Sequence, residues 1–379
     1  MKLKIQEYLL TPGNDLSTLE RDYAIEHRIK NGKISLNYNQ ISSPMDQEIC
    51  QECRGIILRE NTFDVIAYPF KKFFNLEERF AVDIDIKQAV AYEKRDGSMV
   101  QLYWDDVLNE WFFATRSMPE ADGQCPMGET YANLATRALY IMGFDFYEES
   151  KTTFVSLESK LNKRYTYVFE LTCPHNTVVI QYDQYMMTLL AVRDLDSLKE
   201  LPIEGIAKEL NLPIPDKFNF NNYNDLSVYL NSWNKDKIEH EGFVLVDKDF
   251  NRVKIKASCY IAAHGLISSL VASDRNIMRL ILEDKADDLS FIKDNMITER
   301  VELFNNKLSD LLKMIHNQYL IYKDLESDKE FALSIKDFPY KAVLFALRKN
   351  KYNSVIEFFR SKTGNSSIDY LIGLCDLDG

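Results

Sequence analysis

Apolar residues in this chain recur at two different periods, and the changeover near residue 268 limits the folds open to it. Up to about residue 264 they fall in short runs with strand-like alternation, interrupted by a few helices; beyond about 268 they recur at three and four. Candidate strands are Arg54 to Arg59, Asp64 to Phe70, Ala89 to Tyr92, Ser98 to Asp105, Glu110 to Thr115, Tyr165 to Leu171, Tyr185 to Arg193, Gly242 to Val246 and Arg252 to Lys256. Thr130 to Met142 predicts an amphipathic helix with Ala132, Leu134, Ala135, Ala138 and Leu139 along one side. Phe218 to Asn224 reads as an Asn/Phe/Tyr-rich loop. Several strands return through short turns, so antiparallel sheets packed face to face around a cleft are expected. In the later part Ile277, Leu280 and Ile281, then Val301, Phe304, Leu308, Leu311, Leu312 and Ile315, mark helical faces, continued by Ser309 to Leu320. Tyr340 to Leu347, Ser354 to Phe359 and Ile368 to Leu374 suggest three shorter helices. The expected architecture is α+β, with a sheet domain over residues 1–268 and an all-α domain over 269–379, and 379 residues suit two domains.

The chemistry concentrates in the first part. Lys94 stands in Glu93-Lys94-Arg95-Asp96-Gly97-Ser98, directly after the apolar run Ala89-Val90-Ala91-Tyr92. A lysine at a strand mouth can present an amine to a phosphate, and a lysine withdrawn from water loses its proton more readily. The same residues admit a plainer reading, because Asp-Gly between alternating strands is a hairpin signal and Ser98 to Trp104 would be the returning strand. Downstream, Tyr165 to Leu171 presents Glu170, Glu241 and Gly242 open an apolar strand, and alternation puts Lys254 and Lys256 on one face. Singly these are ordinary solvated strand ends or an edge strand's charges. Together, a nucleophilic lysine, two acids and a lysine pair supply what nucleotidyl transfer needs.

As an ordered set these segments resemble the covalent nucleotidyltransferases, most closely the phage-type, first-class RNA ligases that repair tRNA in T-even phages. The matches are EKRDGS around Lys94, YVFEL around Glu170, EGFVLV from Glu241 and VKIK ending at Lys256, followed by ASCY, which puts Tyr260 where that class carries a tyrosine. Upstream, ECRGIIL and YPFKKFFNLEE place Arg54 and Lys72 where the family has phosphate-contacting side chains, and Thr115-Arg116-Ser117 adds Arg116. One departure is Arg95, where the family usually has an acid. The resemblance runs from about residue 38 to 260 and implies an antiparallel-sheet nucleotidyltransferase (ATP-grasp-like ligase) domain. It implies an ATP-dependent RNA ligase in which AMP from ATP is carried on Lys94, passes to an RNA 5′-phosphate and leaves when a 3′-hydroxyl attacks. Glu93, Arg54, Lys72, Glu170, Glu241, Lys254, Lys256, Tyr260 and Arg116 would contact the nucleotide, with Glu170 at the ribose and the lysine pair at the α-phosphate, helping to depress the Lys94 pKa. Glu241 would hold Mg²⁺ (or Mn²⁺). Tyr260 also reads as a core tyrosine. The implied partner is RNA with 5′-phosphate and 3′-hydroxyl ends, a cleaved tRNA among the candidates, and the implied enzyme is a monomer in the cytoplasm, the host's if the source is viral. DNA ligases and capping enzymes share the lysine motif, but a β-barrel follows their catalytic domain where helices are expected here. An inactive module that binds RNA ends is the other alternative. The helical part either selects the RNA or is a structural cap.

Composition narrows the field further. Hydrophobic residues make up 46%, including 22 Phe and 21 Tyr, which supports substantial cores and argues against disorder. A net charge of -12 argues against broad non-specific binding to duplexes, and leaves room for a local positive pocket. Cys50 and Cys53 have the Cys-x-x-Cys spacing, but no second pair or nearby His completes a zinc site, so the six cysteines read as reduced thiols. No run approaches a membrane span and the first residues lack the apolar core of a signal peptide. Gly123 to Thr130 has phosphate-loop spacing, but Glu129 stands where the lysine would be, so no kinase is built into the chain. His175 and His240 lie near motif acids and read as scaffold or supporting groups.

Overall fold

The computed structural model describes residues 2–40, 42–125, 127–145, 155–176, 179–233, 239–261, 274–283, 295–362 and 364–375. The chain divides into two compact units, Met1–Asn39 with Ser43–Ala263, and Gln40–Ser42 with His264–Gly379.

The first unit is built on sheets that are antiparallel except at two short pairings. A four-stranded sheet runs Ile25–Lys30, Lys33–Tyr38, Arg54–Arg59, Val65–Ala67. A five-stranded sheet has the order Glu200–Leu201, Met186–Asp194, Tyr165–Thr172, Ser98–Asp105, Glu110–Ala114. A second five-stranded sheet has the order Lys217–Phe218, Val90–Lys94, Gly242–Val246, Arg252–Lys256, Phe74–Asn75. The strand expected over Asp64 to Phe70 pairs only at Val65–Ala67, because Pro69 has no N–H to give a ladder. The helix Tyr131–Ile141 is capped by Thr130, whose hydroxyl accepts from the Asn133 N–H at 3.2 Å, and it buries Leu134, Ala135, Ala138 and Leu139. That explains the phosphate-loop lookalike: Gln124 bridges Thr130, and Glu129 lies 2.6 Å from Arg137, so the segment is a turn into a capped helix.

Two dipeptides show how far a turn signal reaches. Asn31 and Gly32 both take positive φ (50° and 72°) and close a hairpin between Ile25–Lys30 and Lys33–Tyr38, with Lys30 opposite Lys33. This is the primed turn that right-twisted strands favour. Asp96-Gly97 closes no hairpin. Val90–Lys94 belongs to one five-stranded sheet and Ser98–Asp105 to the other, where it pairs with Tyr165–Thr172 and Glu110–Ala114. Neither Asp96 nor Gly97 has positive φ, so the hairpin reading of the lysine motif is wrong and the dipeptide is a crossover between sheets. Gly97 is required there by crowding: a Cβ would lie 2.4 Å from the Leu171 carbonyl oxygen. The stretch expected as a loop, Phe218 to Asn224, ends one strand at Phe218 and starts the helix Tyr223–Asn231, capped by Asn222.

The second unit is helical among its described residues, with Asp274–Leu282, Asn295–Tyr322, Asp328–Ser334, Lys341–Arg348, Val355–Arg360 and Asn365–Leu374. The apolar positions read at three and four from Ile277 to Ile315 are buried together in one core with Phe331, Leu344, Phe358 and Leu371. Asp328–Ser334 was not anticipated, although Ser327 and Glu330 form the reciprocal capping box that marks its start. No helix of the described residues is long and apolar enough to cross a membrane.

Glycine crowding gives a paired stability test. Gly205 sits inside the helix Ile203–Leu210 with nothing near its missing Cβ, so Gly205→Ala is expected to stabilise by about 0.5–1 kcal/mol. Gly97→Ala is expected to destabilise by at least about 1 kcal/mol, since overpacking moves backbone; urea unfolding midpoints of the two variants report both signs.

Candidate active site

The centre of the second five-stranded sheet gathers the motif residues into one row. Gly242 pairs across the ladder with Lys94 on one side and Lys256 on the other. Glu241, one residue before Gly242, lies between the two amines: its Oε2 is 2.6 Å from Lys94 Nζ and its Oε1 is 3.2 Å from Lys256 Nζ. Burial alone would raise the Glu241 carboxyl, but Lys94 and Lys256 outweigh it and hold the group below the usual carboxylate range. Gly242 lets the strands approach this closely; a Cβ there would come within 2.1 Å of the Ile255 carbonyl oxygen. Lys254 follows the alternation onto the same face as Lys256.

The other five-stranded sheet supplies Glu170, opposite Met99 in the Tyr165–Thr172 strand. Its Oε1 accepts from the Gly97 N–H at 3.1 Å, tying it to the loop that follows Lys94. Burial pushes its carboxyl up to about 7, reinforced by Glu241 and Asp96 and opposed by Lys94 and Arg54. Asp96 anchors that loop. It is buried, and accepts from the Val179 and Ile180 N–H groups at 2.8 and 2.7 Å and from the Tyr260 hydroxyl at 2.9 Å. Tyr260 is therefore packed in the core, directed at the loop that carries Lys94, with Lys256 Nζ 5.4 Å from its ring.

Two further cations converge on one ring that sequence reasoning passed over, and a third lies on neighbouring rings. Lys72 Nζ lies 5.4 Å and the Arg116 guanidinium 5.8 Å from the centre of Tyr38. Arg54 contacts the Met99 sulfur at 3.0 Å and the rings of Phe70 and Phe73 at 5.2 and 5.4 Å. Burial lowers the Arg54 pKa, with Tyr38 and Glu170 pulling it back up. Gly55, at φ +84°, lets the strand after Arg54 pass against the Arg116 backbone.

Glu93 is not brought to the Lys94 side. It is buried on the opposite face of the strand, 2.6 Å from His240 Nδ1 and 3.4 Å from Arg95. His175 lies beside Tyr185 and Glu129. None of the six cysteines is in a disulfide; Cys50 and Cys53 are buried, and burial pushes the Cys50 thiol up to about 12. Among the described residues no group of three His, Cys, Asp or Glu side chains could cage a metal ion.

The structure thus gathers a strand-borne lysine against a buried glutamate, a second lysine in register and a carboxylate from the other sheet. Residues 52–260 match the family model described as RNA ligase, and the chain belongs to that family. An RNA ligase of Rhodothermus phage RM378 is 25% identical over 362 residues, 78% of this chain and 80% of that protein. A protein of Autographa californica nuclear polyhedrosis virus described as a bifunctional polynucleotide kinase/RNA ligase is 28% identical over 269 residues, 67% of this chain but 36% of its own length. Among solved structures, an archaeal ATP-dependent RNA ligase (form 2) aligns with a TM-score of 0.46 at 14% identity, covering 88% of this chain and 90% of that one.

The Glu170 carboxyl titrates above its ordinary value of 4.5, so folding favours its protonated form. Its contribution to stability is full in acid and is lost as pH rises towards 7. The ionised form only accepts, at both oxygens, whereas protonation turns one oxygen into a donor. If Glu170 engages the nucleotide, as proposed below, the ATP concentration for half-saturation falls as pH rises through about 7, and Glu170→Gln flattens that dependence relative to the parent; an unchanged profile in the variant would remove Glu170 from nucleotide recognition.

Proposed function

We propose that this RNA ligase uses ATP to join RNA ends bearing a 5′-phosphate and a 3′-hydroxyl, through AMP carried on Lys94. The observation that carries the reading is the Lys94–Glu241–Lys256 cluster, with Lys94 Nζ 2.6 Å from Glu241 and both lysines in register with Gly242. In the first step Lys94 Nζ, its ammonium proton given up to water, attacks the α-phosphorus of ATP; a P–N bond forms as the α-phosphorus–oxygen bond to the β-phosphate breaks, pyrophosphate leaves, and a second amine proton is lost to water. The RNA 5′-phosphate oxygen then attacks the same phosphorus and Lys94 recovers its electron pair. Last, a 3′-hydroxyl attacks the RNA phosphate, its proton is lost, AMP departs and a phosphodiester remains. Covalent catalysis of this kind divides one hard displacement into easier ones.

The protein's task in phosphoryl chemistry is to position groups and to neutralise charge. Glu241 holds Lys94 at the mouth of its strand until the nucleotide arrives, and Lys256 and Lys254 meet the α-phosphate. Glu170 engages the ribose. Arg54, Lys72 and Arg116 receive the pyrophosphate or the RNA phosphate, a forked and a point-charge mode of grip side by side. Tyr260 acts through Asp96 by fixing the nucleophile loop. Glu241, whose oxygens face Lys94 and Lys256 until the nucleotide arrives, would be the residue to hold a Mg²⁺ or Mn²⁺ ion, a hard cation suited to oxygen ligands. Such an ion would supply neutralisation of phosphate charge. The natural RNA is a broken strand, with a cleaved tRNA as the substrate class the family suggests, and the helical unit is its candidate selector.

Removing Lys94 leaves Glu241 still paired with Lys256, so Lys94→Ala is expected to fold. It should form no protein-bound AMP from ATP and should join no 5′-phosphate ends, yet still seal RNA supplied with AMP already on its 5′-phosphate. Loss of sealing on adenylated RNA in a folded variant would make Lys94 structural instead.

A further inference from the structure

Behind the Lys94–Glu241 pair stands a second pair made by the preceding residue of each strand segment. Glu93 precedes Lys94 and His240 precedes Glu241. Because successive side chains of a strand point to opposite faces, Glu93 leaves the sheet on the side away from Lys94. There its Oε1 stands 2.6 Å from His240 Nδ1. The His240 ring lies on Trp233 with centroids 4.8 Å apart and planes inclined by 34°, and Trp233 packs on Phe243 at 5.4 Å. Phe243 is the ladder partner of Glu93. The reverse face is thus a closed circuit of Glu93, His240, Trp233 and Phe243.

Its position gives this circuit a purpose. Lys94 ends its strand and Glu241 comes just before its own begins, so both reacting groups stand where ladder pairing stops. The Glu93–His240 contact crosses the two strand ends at that point. We propose that Glu93 and His240 are positioning residues for adenylyl transfer: they hold the Lys94 amine and the Glu241 carboxylate at their working separation from the reverse face, touching neither ATP nor RNA. The assignment rests on the ligase reading above. Reactions of this kind are sensitive to placement, about a hundredfold for 1 Å.

The test measures the rate of Lys94 labelling by α-labelled ATP and Mg²⁺, across ATP concentrations, for the parent, Glu93→Ala, His240→Ala, the double variant and His240→Asn. Each alanine variant is expected to lower the maximal rate by about tenfold, with half-saturating ATP within about twofold of the parent. The double variant should be no slower than the slower single, because both singles already remove the shared Glu93–His240 contact; Glu93→Ala also frees Arg95, 3.4 Å away, which makes it the slower one. His240→Asn, whose side-chain N–H can reach the same carboxylate, should recover most of the rate. His240 is 42% exposed, so its variants are expected to melt close to the parent and keep the test valid even where Glu93→Ala unfolds. Parent-like rates in the His240 variants, a raised half-saturating ATP with the maximal rate intact, or losses that multiply in the double variant overturn the assignment alone. A parent that takes no label overturns the ligase reading and this assignment with it.

Discussion

The site depends on one carboxylate placed between two amines across a sheet. Glu241 is almost wholly buried, and it is charged there only because Lys94 and Lys256 flank it. Stripping a buried ion of its partners costs about 3–5 kcal/mol, so the sheet register that sets Gly242 opposite both lysines also sets whether the site holds together. Gly242 is the constraint behind that register, because any side chain would strike the neighbouring strand. Two lysines flank one carboxylate, and burial favours the neutral form of the neighbouring Glu170 below about pH 7, so the cluster carries an excess of positive charge that a phosphate group would complement.

The same logic resolves the chain's acidity. A net charge of -12 describes the whole surface, whereas the cations that matter are local and shielded. Arg54, Lys72 and Arg116 gather about Tyr38 and neighbouring aromatic rings, and rings stabilise cations most where water is thin. Global repulsion and local attraction together favour a ligand that offers a few phosphates at a defined end over a long duplex lying across the surface.

Much of this was legible in the sequence because the candidate site residues sit in short, ordered segments whose strand periodicity survives in the fold. Lys94, Glu170, Glu241 and Lys256 fall on the strands or strand ends that alternation assigned, and the helical spacing from Ile277 to Ile315 became a buried core. Asp96-Gly97 was misleading: hairpin closure requires positive φ, and crowding against Leu171 together with the pull of two separate sheets decided the backbone instead. Asn31-Gly32 carried the genuine hairpin signal and went unread. The Glu93–His240 and Lys94–Glu241 pairs each span 147 residues of chain. No local pattern announces such a contact; it exists only once the strand register is known. Tyr38 was missed for a related reason, since its importance lies in which cations surround it.

The most direct measurement of the central claim is peptide mapping of the protein after incubation with α-labelled ATP and Mg²⁺. The account predicts that AMP is recovered on one peptide, the one containing Lys94, through an acid-labile bond to the lysine nitrogen. Label on another lysine, or a protein that stays unlabelled and carries no AMP from the cell, would contradict it.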